Sequence, residues 1–448
     1  MANKLTVEQI MHRHKLAQNR KEDFRSLYED AMEYALPQRN LYSGDYESNS
    51  GGRKKMTRVF DSTAINSTQR FANRLQSGIF PPQRKWCRLE PGSDIPQERR
   101  AEAQTALDLY NDKMFAVLKQ SNFDIAMGEF LLDLSVGTAV MLVQPGDSIS
   151  PINFIPVPQY LVAFEEGANG QVDNVYRRMR LKGEALNQQW PDITIPQELQ
   201  VMINDKPTEE VDLVEATVYD YDRGDFCYHV IHPKSNSELV YRRVKTSPWV
   251  VSRYMKVAGE IYGRGPVLTA LPDIKTLNKT LELLLKNASL AITGVYTAAD
   301  DGVLNPATVR IVPGAIIPVA RNGGSQGDAL KPLPRAGDFN VSQIIINDLR
   351  ANIKRTLLDE SLPPDNMSAR SATEVVERMK ELAQNLGSAF GRLINETMIP
   401  IVSKMLEVMD QGGLIDLPLR VNGLEVKVSP VSPLAMAQNM DEIGNIMQ

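Results

Sequence analysis

The tightest constraint on this chain is a pair of long amphipathic patterns, residues 266–292 and 341–358, separated by a stretch rich in turns. Each pattern carries polar residues at successive spacings of four, three and four. In the first they are Lys275, Lys279, Glu282 and Lys286; in the second, Gln343, Asn347, Arg350 and Lys354. At about 100° per residue, each set falls within roughly a 60° sector of a helix surface. Ile274, Leu277, Leu281, Leu284, Leu285 and Ala288 form the opposing apolar stripe of the first helix. Pro272 either kinks that helix or marks its start. Two such helices around a compact excursion predict a helical hairpin stalk with a small tip. That is the shape of a protein that builds something.

The excursion, 293–340, reads as a small β-containing module. Its Gly and Pro residues, from Gly294 to Gly337, separate the apolar runs 309–312 and 315–319, which burial can stabilise. Upstream, helical spacing runs over 5–35, where Thr6 and Gln9 form a capping-box pattern and Pro37 stops the helix. Residues 40–55 read as a loop whose Arg53-Lys54-Lys55 cluster is either a solvated face or a contact. Asp61-Ser62-Thr63 can cap a second helix to about Gln76; 96–120 and 123–136 read as two more. Strand-like runs follow at 152–164 and 172–181, then 211–221 and 226–232 joined by Asp222-Arg223-Gly224-Asp225. Residues 238–244 and 249–257 resemble one further hairpin. The expected sheet is an antiparallel meander, unlike a parallel dinucleotide-binding sheet.

Beyond the second stalk helix lies a loop through Asn366, Met367 and Arg370. Ser371-Ala372-Thr373-Glu374 then opens the longest helical pattern, 373–409. Gly387, Gly391 and Pro400 are the expected causes of a bend in it. Residues 434–448 keep a helical pattern with no stop signal, as in a truncated C-terminus. The overall expectation is an α+β fold, predominantly helical.

Composition narrows the chemistry. With 42% hydrophobic and 23% charged residues, the chain can bury a large core. Lys and Arg number 50 against 55 Asp and Glu, a net charge of −5, so tight phosphate-gripping binding is not expected. Only Cys87 and Cys227 are present, which gives no disulfide framework. No apolar run is long enough for a membrane span. There is no phosphate-binding G-x-x-x-x-G-K-[ST] loop and no G-x-S-x-G nucleophile elbow, and Gly263-Arg264-Gly265 is too short for a dinucleotide fingerprint. His12/His14 and His229/His232 are spaced wrongly to share a helix or strand face, so no metal or other cofactor and no catalysis are expected.

Four segments resemble the portal, or head-to-tail connector, proteins of short-tailed bacteriophages (podoviruses). They are residues 28–37 (YEDAMEYALP), residues 60–86 from Phe60-Asp61-Ser62-Thr63-Ala64 to Trp86, residues 261–266 (IYGRGP) and residues 367–375 (MSARSATEV). The resemblance implies a portal fold assembled as a ring, usually a dodecamer, with no enzymatic activity. On that pattern residues 1–262 are a wing, 263–292 and 341–360 the two stem helices, and 293–340 a clip. Residues 361–371 are a channel (tunnel) loop, 372–433 a long kinked helix with the return to the wing, and 434–448 the start of a crown.

The implied partners are further copies of the chain, non-specifically passing double-stranded DNA, the terminase large subunit, a tail adaptor or head completion protein, and the major capsid and scaffolding proteins. The implied place is a unique capsid vertex of the virion, after assembly in the host bacterial cytoplasm. Lys275, Lys279, Lys286, Arg350, Lys354, Asn366, Met367 and Arg370 become candidates to face a DNA channel, unless the helix stripes pair with neighbouring subunits instead. Arg310, Arg321, Asn322 and Lys331 become candidates for terminase and adaptor docking on the clip. A different class, an adaptor or minor capsid protein without its own channel, would share the partners but not the ring.

Overall fold

The computed structural model describes residues 5–39, 59–82, 84–92, 95–147, 149–293, 296–298, 330–332, 339–359, 384–415 and 426–436. Helix α1 (Val7–Ala35) begins at the expected capping box: Gln9 N–H donates to Thr6 Oγ1 at 3.3 Å, and Thr6 N–H to Gln9 Oε1 at 3.0 Å. Helix α2 (Thr63–Ile79) is capped by Asp61, whose Oδ1 accepts from Thr63 N–H at 2.7 Å; Ser62 makes no side-chain cap. Helices α3 (Gln97–Gln120) and α4 (Phe123–Val136) follow the expected spans. Around them Phe80, Trp86, Phe115, Phe123 and Phe154 stack edge to face at 5.1–6.1 Å, the centre of the largest core.

The β region splits into separate sheets. Strands β4 (Val162–Glu166), β5 (Val172–Lys182), β6 (Glu210–Asp220), β7 (Asp225–His232) and β8 (Ser237–Val244) form the expected antiparallel meander in sequential order. Gly224, at φ +71°, supplies the left-handed residue in the turn between β6 and β7. Face packing comes from helices α5 (Leu186–Gln189) and α6 (Gln197–Asp205), which the sequence reading does not assign.

Two expectations are corrected here. Residues 238–244 and 249–257 do not form a hairpin. Strand β9 (Trp249–Arg253) leaves the meander and pairs with β2 (Thr138–Pro145), so that Val140 faces Val251. The carboxylate of Glu407 accepts the N–H groups of Lys245 (3.0 Å) and Thr246 (3.2 Å), satisfying the turn that a hairpin partner would otherwise cover. The run 152–164 likewise divides at Pro158: β3 (Ile152–Val157) joins β2, and β4 starts the other sheet. A further sheet pairs β1 (Cys87–Pro91) with the last strand, Val426–Pro430.

The helical pair consists of α7 (Pro266–Thr293) and α8 (Phe339–Thr356), packed against each other and, through α8, against α2. Pro272 lies inside α7 on its exposed side, so the helix starts at Pro266 and runs through it. At the far end, Tyr296–Ala298 pairs antiparallel with Leu330–Pro332. The apolar runs 309–312 and 315–319 lie outside the described residues. So do residues 361–371, expected as a loop, and the start of the long C-terminal pattern. The described part of that pattern breaks at Gly387 (φ +47°) and loosens into a π turn, Ile394–Met398. Pro400 follows with no N–H to give, and a one-residue shift in the ladder accommodates it.

Candidate functional site at the root of the helical pair

The backbone entering α7 passes through a contact too close for side chains. Tyr28 OH donates to the Gly263 carbonyl at 2.5 Å, and Gly263 N–H donates to Thr138 Oγ1 at 2.8 Å. Gly265 N–H donates to the Val136 carbonyl at 2.8 Å. A Cβ on Gly265 would sit 2.1 Å from Ser135 O, and one on Gly137 would sit 2.2 Å from Gly263 O. The glycines of Gly263-Arg264-Gly265 thus serve close backbone approach, not a phosphate.

One helical turn and more beyond, three polar links tie the pair to the body. Lys275 Nζ reaches Asp30 Oδ2 of α1 at 2.5 Å. Asn278 Oδ1 accepts from the N–H groups of Phe60 (2.8 Å) and Asp61 (3.1 Å). Arg350 of α8 donates to Asp61 Oδ2 through Nε (2.9 Å) and Nη2 (2.7 Å). Burial alone would raise the Asp61 carboxyl, but hydrogen bonds from Thr63 and Arg350 hold it below the usual carboxylate range.

The end of α8 is clamped as well. Leu358 takes φ +53°, a left-handed C-terminal turn without glycine. Arg74 donates to the Leu358 carbonyl, and the buried Asp359 carboxylate accepts from Ser67 Oγ at 2.7 Å and Arg70 Nη1 at 3.3 Å. Three of the four segments that carry the portal resemblance therefore converge here: residues 28–37, the start of 60–86, and 261–266. The fourth, 367–375, lies outside the described residues.

The candidate channel residues divide into two groups. Lys275 and Arg350 are committed to Asp30 and Asp61 within the chain. Lys279 and Lys286 are exposed and flank Glu282 at 3.0 and 2.6 Å, and Lys354 is exposed. Asn366, Met367, Arg370, Arg310, Arg321 and Asn322 lie outside the described residues; Lys331 is in the short strand opposite Thr297. Apolar side chains also face outward on this pair: Leu283, Leu285, Ile344 and Ile345 are each about half exposed or more.

The sequence reading does not single out Asn278 or Asp359. A signal for Asn278 exists: an asparagine beside Ile274, Leu277 and Leu281 on the buried side of a helix needs partners there. No comparable local signal marks Asp359, because its partners lie on α2.

Among the described residues no three His, Cys, Asp or Glu side chains gather as a metal site, and no helix is long and apolar enough to cross a membrane. What the root offers is anchorage of the helical pair to the body of the same chain. Residues 7–448 match the family model described as bacteriophage head to tail connecting protein. The chain belongs to that family.

Its relatives include a probable portal protein of Bordetella phage BPP-1, 22% identical over 98% of this chain and 81% of the relative. The portal proteins of Enterobacteria phage T3 and Escherichia phage T7 are each 20% identical over 85% of this chain and 70% of theirs. Among solved structures, a virion of a native gene transfer agent particle aligns with 11% identity and a TM-score of 0.35, covering 86% of this chain and 85% of that one. A neck of an empty gene transfer agent particle aligns with 14% identity and a TM-score of 0.34, covering 90% and 93%.

Proposed function

We propose that the chain is a portal protein, a non-enzymatic subunit of a twelve-membered ring at one capsid vertex of a phage. DNA enters through the ring while a terminase large subunit is docked on it, and leaves through it after a tail adaptor has replaced the motor. The observation that carries this reading is the family match across residues 7–448, together with relatives named as portal proteins. Capsid and scaffolding proteins would surround the ring, and assembly would take place in the host bacterial cytoplasm.

The root geometry gives the reading a physical basis. A conduit loaded by moving DNA needs its lining helices fixed to the outer body. Asn278, Asp61, Arg350 and Asp359 supply such fixation at both ends of the pair's inner segment. In a ring each exposed lysine becomes a circle of like charges. Lys279 and Lys286, offset in part by Glu282 between them, and Lys354 would give DNA weak, delocalised attraction while the net charge of −5 limits sticking, and Asn366, Met367 and Arg370 are further candidates to touch it.

The test is the mass and shape of the purified protein, by sedimentation and negative-stain imaging. One chain is 50.0 kDa, so twelve give about 600 kDa. A particle near that mass with a central hole supports the ring. A monomer or dimer at high protein concentration, still binding capsid or tail components, points to an adaptor instead.

A further inference from the structure

Helix α1 spans two cores. Its C-terminal half, through Tyr28, Ala31, Met32 and Ala35, packs with Tyr262, Val267 and Ala270 at the root of α7. Its N-terminal half, through Ile10 and Ala17, lies on the five-stranded sheet against Ala163, Tyr176, Ala216, Val218 and Ile231. The same buried stripe, at helical spacing, also includes His14 and Lys21. An apolar helix face seldom carries either residue type unpaired, and here neither forms an ion pair with a carboxylate among the described residues.

Lys21 is 3% exposed. Its Nζ donates to the backbone carbonyl of Tyr160 and lies 5.2 Å over the centre of that tyrosine's ring. It forms no ion pair with a carboxylate among the described residues. His14 is 9% exposed, its Nε2 has no hydrogen-bond partner, and its ring lies 5.8 Å from that of Tyr176.

The neighbouring charges do not compensate. On β5, Arg178 adds a like charge to both groups. On α1, Glu22 favours the charged form of Lys21, but Arg25 opposes it and itself holds Glu22 at 2.7 Å. On β4, Glu165 is occupied by Asn174 (2.9 Å) and Tyr176 (3.2 Å). Arg13 lies near Tyr176 and adds a further cation to the seam. Burial first, then Arg178, brings the Lys21 ammonium down to about 7 and the His14 imidazole down to about 4.

We propose that the N-terminal half of α1 is a proton-responsive strap, held on the sheet while Lys21 and His14 are neutral and released as they take up protons opposite Arg178. The released state hydrates both cations and leaves the C-terminal half of α1 anchored at Tyr28. The strap therefore couples the sheet to the root of the helical pair, and acid loosens that coupling. The proposal stands on this seam alone and holds whether or not the chain forms a ring.

The sign follows from linkage. Lys21 binds its proton with pKa 10.5 when solvated and about 7 in the seam, so opening takes up one proton between those limits. His14 does the same between 6.5 and about 4. The opening constant should thus rise about tenfold per unit fall in pH within each window.

The test is amide hydrogen exchange of the full chain, read as protection factors for residues 7–21 relative to the C-terminal half of α1. Protection should fall about tenfold per pH unit between roughly pH 10 and 7, then again below about 6.5. Lys21→Met should remove the first slope and keep the second. A parent slope that is flat, or one that Lys21→Met leaves unchanged, overturns the proposal. If Lys21→Met does not fold, NMR titration of ¹³C-labelled lysine in the parent decides. A side chain titrating near 7 in the closed state supports the strap; lysines all titrating near 10.5 refute it.

Discussion

Arg350 Nη2 stands 2.7 Å from Asp61 Oδ2, and the other oxygen of the same carboxylate caps α2 through Thr63 N–H. One buried side chain thus joins the second helix of the pair to the helix beneath it. Its 4% exposure against 38% for Arg350 makes the arrangement unequal: the carboxylate depends on its partners more than the guanidinium does.

That inequality sets the first prediction. Arg350→Ala leaves the buried Asp61 carboxylate without its cation and should cost about 2–3 kcal/mol, whereas Asp61→Ala removes a cap but leaves a guanidinium that water can reach, and should cost about 1–2 kcal/mol. The double variant should fall short of the sum, because both changes remove the same bond. Chemical denaturation of the four proteins gives the cycle, and strict additivity would show that the bond contributes nothing.

The glycines at the root separate steric need from local flexibility. Gly265→Ala places a methyl 2.1 Å from the Ser135 carbonyl, and both partners are backbone. It should cost about 3 kcal/mol or more and reduce soluble yield. Gly391 lies in a helix with nothing within 4 Å of an added Cβ, so Gly391→Ala should gain up to about 1 kcal/mol. Thermal melts of the two variants should move in opposite directions.

The contrast between Gly265 and Gly391 also shows what a sequence can carry. Thr6 with Gln9, and the helical spacing of α3 and α4, are local signals, and those elements form where they are expected. The pairing of Cys87 with Pro430 is not local, and nothing in either segment names the other. Residues 249–253 look like the second arm of a hairpin because neighbouring strands usually pair. Glu407, far along the chain, satisfies the turn and frees the strand for β2. At the root, the polar stripe on α8 is legible, but its Arg350 proves to face Asp61, a preference that depends on the position of α2. The anchoring residues were half visible for the same reason: Asp61 carries a capping signal, while Asp359 acquires its role only from tertiary neighbours.

Glu215 yields a pH prediction of opposite sign to Asp61. It is 2% exposed, accepts from Tyr228 OH at 2.5 Å, and has Arg177 Nη1 at 3.4 Å. Burial raises its carboxyl, with Arg177 and Tyr228 only partly opposing. A raised folded value means that its contribution to stability is fully present below the unfolded value of about 4.3 and is lost as pH rises through the folded one. Glu215→Gln stays neutral throughout. Its melting temperature should exceed the parent's at pH 8, and the gap should close toward pH 4. A variant less stable than the parent at pH 8 would mean that the Arg177 pairing outweighs the burial cost.

The apolar side chains facing outward on the helical pair give the proposed ring a test independent of its DNA. Ile344 is 63% exposed and Leu283 is 50% exposed, and neither sits in a core cluster of its own chain. If copies pack side by side, these side chains are buried by a neighbour, and each contributes roughly 1–2 kcal/mol of transfer free energy per interface. Ile344→Glu and Leu283→Glu should then change the unfolding free energy of the isolated chain by less than about 1 kcal/mol, since an exposed site gives up little on substitution. The assembled fraction at fixed concentration should fall at least tenfold, because a closed ring repeats the loss at every interface and a charge cannot be buried there unpaired. Sedimentation velocity reads both species in one experiment. Rings forming undiminished with glutamate at both positions would place the contact between copies elsewhere, with these side chains left free for a different partner.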